Sequence, residues 1–170
     1  MPHPDTDAPS QLGDLLQGEH MLLWAFRASA FGAGDCHLIR RHYEESCGPL
    51  GLEALTALQV FVRELGVSGR RKVTLAAPGS YRLTRDEQSI LALFAAAQAE
   101  DYVRMEAHLA WLLADQPRAP FAAAACLTAQ ALGMNGYVLR LPPMDAGPAT
   151  SAVETPWEDG VVTPFRRRAS

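Results

Sequence analysis

Four side chains in one short stretch, Cys36, His37, His42 and Cys47, are of the kinds that bind zinc. Zinc needs its sulfur and nitrogen donors within about 2.3 Å of the ion. If the stretch is helical, the two sulfurs lie eleven residues apart, roughly 16 Å along the axis. His37 and His42, five residues apart, point in different directions. The spacing therefore predicts Cys36 and Cys47 as apolar packing residues, and no metal or other cofactor is expected.

A second group is His20, Trp24 and Arg27, at i, i+4 and i+7 along one helix face. An imidazole, an indole N–H and a guanidinium there, with Tyr43 beside them, could bind an anion or a carboxylate ligand in a dry pocket. The favoured reading is internal, because a buried charge is normally paired within the protein. Arg27 is then expected to meet a carboxylate from a neighbouring helix. Spacing does not make Glu19 that partner, and the sequence singles out no other.

Catalysis finds little support. There is no Gly-x-Ser-x-Gly elbow, no His-Glu-x-x-His and no Walker-type Gly-Lys-Ser/Thr, and Gly32-x-Gly34 lacks the third glycine of a dinucleotide fingerprint. Cys126 sits among alanines, a setting that raises a thiol pKa. Glu44-Glu45 read as a solvated helix face, and Asp86-Glu87 as a helix N-terminus. An enzyme built from scattered residues such as His20, Glu106 and His108 is a minor alternative, so no catalytic residue is named.

The element that positions Arg27 is the run His20 to Gly32, apolar nearly all round with one fixed charge. Such a helix is expected at the centre of a bundle. The first helix is predicted from about Asp14 to Phe31, with Gly18 weakening its start. The second covers Cys36 to Cys47, with Asp35 as its N-cap and Gly48-Pro49 ending it. In the third, Leu52, Leu55, Leu58, Val62 and Leu65 form one stripe, and Gly66 or Gly69 closes it. Val73–Leu75 and Tyr81–Leu83, around Ala77-Pro-Gly-Ser80, suggest a small β-hairpin near 71–83 or an irregular loop. Thr84-Arg-Asp-Glu87 is a capping box opening a fourth helix. Tyr102 to Ala114 follows, with Tyr102, Met105, Leu109 and Leu112 facing inward, and Phe121 to Leu132 ends the series.

The expected fold is all-α: a single-domain bundle of five to six helices over residues 13–136. A flexible N-terminal tail (1–12) and a Pro-rich C-terminal tail (137–170) flank it. Within the second tail, Trp157, Phe165, Arg166 and Arg167 could dock on a partner or on the bundle itself.

Composition narrows the function. The chain has 170 residues, a formal net charge of −4 and 20% charged residues, so no global positive field favours nucleic acid or an anionic membrane. Three helices before a hairpin is the order of a winged helix, but the third helix offers only Arg63 to base edges. DNA binding is therefore the weaker reading. Three unpaired cysteines and a polar N-terminus lead to the expectation of a cytoplasmic protein with no membrane span. A single lysine among 15 basic residues, with runs of alanine, fits a GC-rich, bacterial-type coding bias. The expected role is a non-enzymatic protein-interaction or regulatory module, engaging a protein partner or forming a homodimer. The alternative is a small-ligand binder or sensor around Trp24 and Arg27.

Overall fold

The computed structural model describes residues 9–68, 72–113, 118–142 and 163–165. Among these the fold is an all-α bundle of six helices: α1 (Gln17–Ala30), α2 (His37–Cys47), α3 (Gly51–Ser68), α4 (Arg85–Gln98), α5 (Tyr102–Leu113) and α6 (Ala119–Met134). Two short strands accompany them, β1 (Val73–Leu75) and β2 (Thr163–Phe165). No helix among the described residues is long and apolar enough to cross a membrane.

The apolar stripes meet as their periodicity requires. α3 packs against α1, α2 and α6, and α4 against α5 and α6. Phe61 of α3 lies at the centre, with ring centroids 6.2 Å from Phe26 of α1 and 5.2 Å from both Phe94 of α4 and Phe121 of α6. Offset and edge-to-face pairs of this kind favour one packing over its competitors. Glu100 takes a left-handed conformation (φ 57°), turning the chain from α4 into α5.

The most enclosed helix is α4, not α1 as the sequence suggests. α4 buries 11 of its 14 residues, including Ala92 and Ala95–Ala97, whose small side chains let other elements approach closely. α1 buries 9 of 14 and leaves His20 and Trp24 outside. Smaller differences follow the same logic. The first N-cap of α2 is Cys36 rather than Asp35, with no side-chain cap. α3 continues through Gly66, and Tyr102 is 49% exposed rather than inward.

The hairpin expected near 71–83 does not form. β1 instead pairs antiparallel with residues 163–165, in the register Val73↔Phe165, Thr74↔Pro164, Leu75↔Thr163. The segment expected to be its partner is committed elsewhere. Tyr81 O accepts from Leu12 N (2.8 Å) and Leu83 N donates to Ser10 O (3.0 Å), while Gln11 bridges to Arg82.

Both chain segments flanking the predicted bundle make specific contacts. Pro9 O accepts from Gln88 Nε2 at 2.8 Å. At the other end Leu139 is buried, and its N–H donates to Gln98 Oε1 at 2.7 Å. Arg140 donates from its backbone N and Nε to Glu19 Oε1 (3.0 and 3.1 Å) and from Nη2 to Glu19 Oε2 (2.8 Å). Gly18 lets the segment pack closely here, since a Cβ at that position would lie 3.1 Å from Tyr137 Cβ and 3.2 Å from Val138 O.

Candidate functional site

Arg27 and Glu87 form the only ion pair among the described residues in which both side chains are buried, at 2% and 0% exposure. α1 brings Arg27 there in its last turn, where the loop after β1 covers it, while one and two turns earlier Trp24 and His20 remain outside. α4 brings Glu87 as the third residue of its first turn. There the capping box closes as predicted, with Glu87 N donating to Thr84 Oγ1 (3.0 Å) and Thr84 N donating to Glu87 Oε2 (2.9 Å).

The same carboxylate serves a second purpose. Arg27 donates from Nε to Glu87 Oε1 (2.7 Å) and from Nη2 to Glu87 Oε2 (3.0 Å). Ala76 N donates to Oε1 at 3.1 Å. Each carboxylate oxygen thus accepts two hydrogen bonds. Arg27 further donates from Nη1 to Ser80 O (3.0 Å) and from Nη2 to Arg82 O (2.9 Å). A planar fork of donors meeting a carboxylate and two carbonyls is the geometry that makes a buried guanidinium tolerable. This hub ties α1, β1, the 76–84 loop and α4 together. Four of the five guanidinium N–H groups and both carboxylate oxygens are bonded to protein groups.

The hub also supports β1 from behind. Thr74 N donates to Asp86 Oδ2 (2.7 Å), and Thr74 O accepts from Thr84 Oγ1 (2.7 Å). With Ala76 N on Glu87, the polar groups of β1 that point toward α4 are satisfied by side chains of that helix's first turn.

The predicted ligand-site residues do not converge on one pocket. Tyr43 is fully buried and donates to Met21 O at 3.0 Å. Burial, and secondarily the nearby Cys47, pushes its phenol far up from the ordinary range. Trp24 is 37% exposed and lies edge-on to His42, with ring centroids 5.7 Å apart. His20 is exposed. Phe31, two turns after Trp24 at the end of α1, and Leu38, one turn before His42 on α2, are 38% and 55% exposed, and helical spacing puts each on the same side of its element as Trp24 or His42. Of the tail residues, Phe165 lies in β2, and Trp157, Arg166 and Arg167 are outside the described residues.

Other reactive side chains behave as core groups. Burial raises the thiol pKa of Cys47, and burial with the nearby Glu100 raises that of Cys126. Cys126 Sγ contacts Met105 Sδ at 3.8 Å. His108 is buried, its Nδ1 has no hydrogen-bond partner, and burial followed by the charge of Arg104 lowers its pKa. Among the described residues no three His, Cys, Asp or Glu side chains gather as metal ligands do.

Sequence reasoning found both halves of the hub without joining them. The capping box was visible, and so was the need of Arg27 for a partner. The missing step was that a capping-box carboxylate has lone pairs to spare. No protein family, curated protein or solved structure matches this chain.

Proposed function

We propose that the chain is a non-enzymatic protein-interaction module whose contact face is the strip formed by Trp24, Phe31, Leu38 and His42. The observation that carries this reading is the edge-on contact of the exposed Trp24 of α1 with His42 of α2, flanked by the exposed Phe31 and Leu38 on the same two segments. Trp and other aromatic residues dominate the energetics of interfaces, and they occur as adjacent exposed residues far less often than singly. The hub supports the same reading from the opposite direction. Arg27, the cation a small-ligand pocket would use, donates four hydrogen bonds to protein acceptors. The raised thiols and the lowered histidine are shifted by burial, as packing residues are.

The test is the paired substitution Trp24→Ser and Leu38→Ser. Leu38 is 55% and Trp24 37% exposed, and neither belongs to the hydrophobic core, so the thermal transition should stay within a few degrees of wild type. Chemical crosslinking of the wild-type chain in extract of the host cell should yield discrete heteromeric or homodimeric products through α1 and α2, and the double variant should lose them. Crosslinking that the double variant leaves unchanged would refute this choice of face.

A further inference from the structure

We propose that Cys126 and Met105, with His108 one turn along, form a binding site for a soft monovalent metal ion, copper(I). The site joins α5 to α6 and is separate from the aromatic strip on α1 and α2. Cys126 Sγ lies 3.8 Å from Met105 Sδ. An ion that holds each sulfur at about 2.3 Å, at an angle between tetrahedral and trigonal, sets them about 3.8–4.0 Å apart. The two sulfurs therefore already stand at the spacing that one shared ion imposes.

The third donor comes from the same helix. Met105 and His108 are i and i+3 on α5, neighbours on one face. Both are buried, at 4% and 7% exposure. A helical side chain leans toward the N-terminus of its helix, so the imidazole lies over the turn that carries Arg104 and Met105. The charge of Arg104 is felt at His108, as that direction requires. The enclosed Nδ1 has no hydrogen-bond partner, a costly state for a buried polar atom that a metal bond relieves. Burial and Arg104 together favour the neutral ring, the form whose nitrogen lone pair can ligate. Met105, with three rotatable bonds, adjusts its sulfur between Cys126 and the imidazole.

The donor set selects the ion. Structural zinc takes four donors from Cys, His and carboxylate side chains, and among the described residues no three of these gather. A thiolate, a thioether and an imidazole make a soft set of three, which favours copper(I). Cys126 is only partly buried, so an ion reaches it without opening the core. Binding forms the sulfur–copper bond and releases the thiol proton to solvent. Burial and the nearby Glu100 hold that proton on the sulfur. Affinity is therefore coupled to proton release and rises about tenfold per pH unit around neutrality.

The experiment uses the full reduced chain without oxygen, with copper(I) itself as the probe and a coloured copper(I) chelator as competitor. The wild type should withhold one ion per chain from the chelator, and more tightly as pH rises. Cys126→Ser should weaken binding about a hundredfold, and Met105→Leu and His108→Leu about tenfold each. Cys36→Ser, remote from the site, should bind as wild type does. One equivalent of copper(I) should also shift the Met105 methyl resonance of the wild type, a reading that needs no variant to fold. Copper taken wholly by the chelator, an unmoved Met105 methyl, or wild-type affinity in Cys126→Ser or Met105→Leu overturns the proposal. Wild-type affinity in His108→Leu overturns the three-donor set. A loss in Cys36→Ser equal to that in Cys126→Ser also overturns it, because any thiol of the chain then suffices.

Discussion

Glu87→Gln is the substitution on which the structure makes its sharpest energetic statement. The change keeps the shape of the side chain and removes its charge. All four groups facing Glu87 are donors: Arg27 Nε, Arg27 Nη2, Ala76 N and Thr84 N, two on each oxygen. An amide can accept through one oxygen only. Whichever way it is turned, its NH2 confronts two donors at hydrogen-bond distance, and Arg27 is left as a buried, uncompensated cation. Breaking a buried pair in this way costs about 3–5 kcal/mol, a large part of the ~5–15 kcal/mol that holds a domain together. With a urea m-value of about 2 kcal/mol/M, the unfolding midpoint should fall by roughly 1.5–2.5 M. Arg27→Met should cost a similar amount. The double variant Arg27→Met/Glu87→Met removes both charges, so its loss should fall short of the sum of Arg27→Met and Glu87→Met by about 2 kcal/mol or more. A Glu87→Gln chain within about 1 kcal/mol of wild type, or a double variant additive to about 0.5 kcal/mol, would refute the hub as described.

Other outcomes follow from the same geometry. Gly18→Ala should destabilise the chain by about 1–3 kcal/mol in urea titrations through crowding against Tyr137 and Val138, whereas helix propensity alone would give a gain of about 1 kcal/mol. Arg140→Ala, which strips three side-chain bonds from Glu19 and the Asp14 carbonyl, should cost about 1–3 kcal/mol and speed amide exchange at Leu139. The lowered pKa of His108 means that the unfolded chain binds its proton first as pH falls. Stability should therefore drop as pH goes from 7 through the ordinary histidine pKa, and the drop should shrink in His108→Leu thermal melts. Cys47 should resist alkylation at pH 8 until the chain is unfolded, given its burial and raised pKa.

The helices were legible because they are encoded locally. The stripe from Leu52 to Leu65 and the Thr84–Glu87 box each lie within a few turns of chain, and each forms as its spacing requires. The pairing of Arg27 with Glu87 was not legible, because sixty residues separate them and Glu87 is already explained locally by its capping box with Thr84. β1 illustrates the same limit. The run Val73–Leu75 reads as a strand, but its partner is decided by which segments are still free. The Ser80 and Arg82 carbonyls face Arg27, and the 81–83 backbone bonds to residues 10–12. The nearest candidate in sequence is thereby excluded. The apolar run of α1 misled for a third reason. Uniform greasiness predicts burial on all sides, whereas the alanines of α4 permit closer packing than the indole of Trp24 does.

The claim that β1 is braced from behind, independently of the strand paired on its front edge, is tested most directly by site-resolved amide exchange in the full chain carrying Thr163→Pro. The account predicts that the Val73 and Leu75 amides lose protection while those of Thr74 and Ala76, held by Asp86 and Glu87, keep it. Simultaneous loss at all four amides would contradict it, because the strand would then owe its existence to the segment it pairs with.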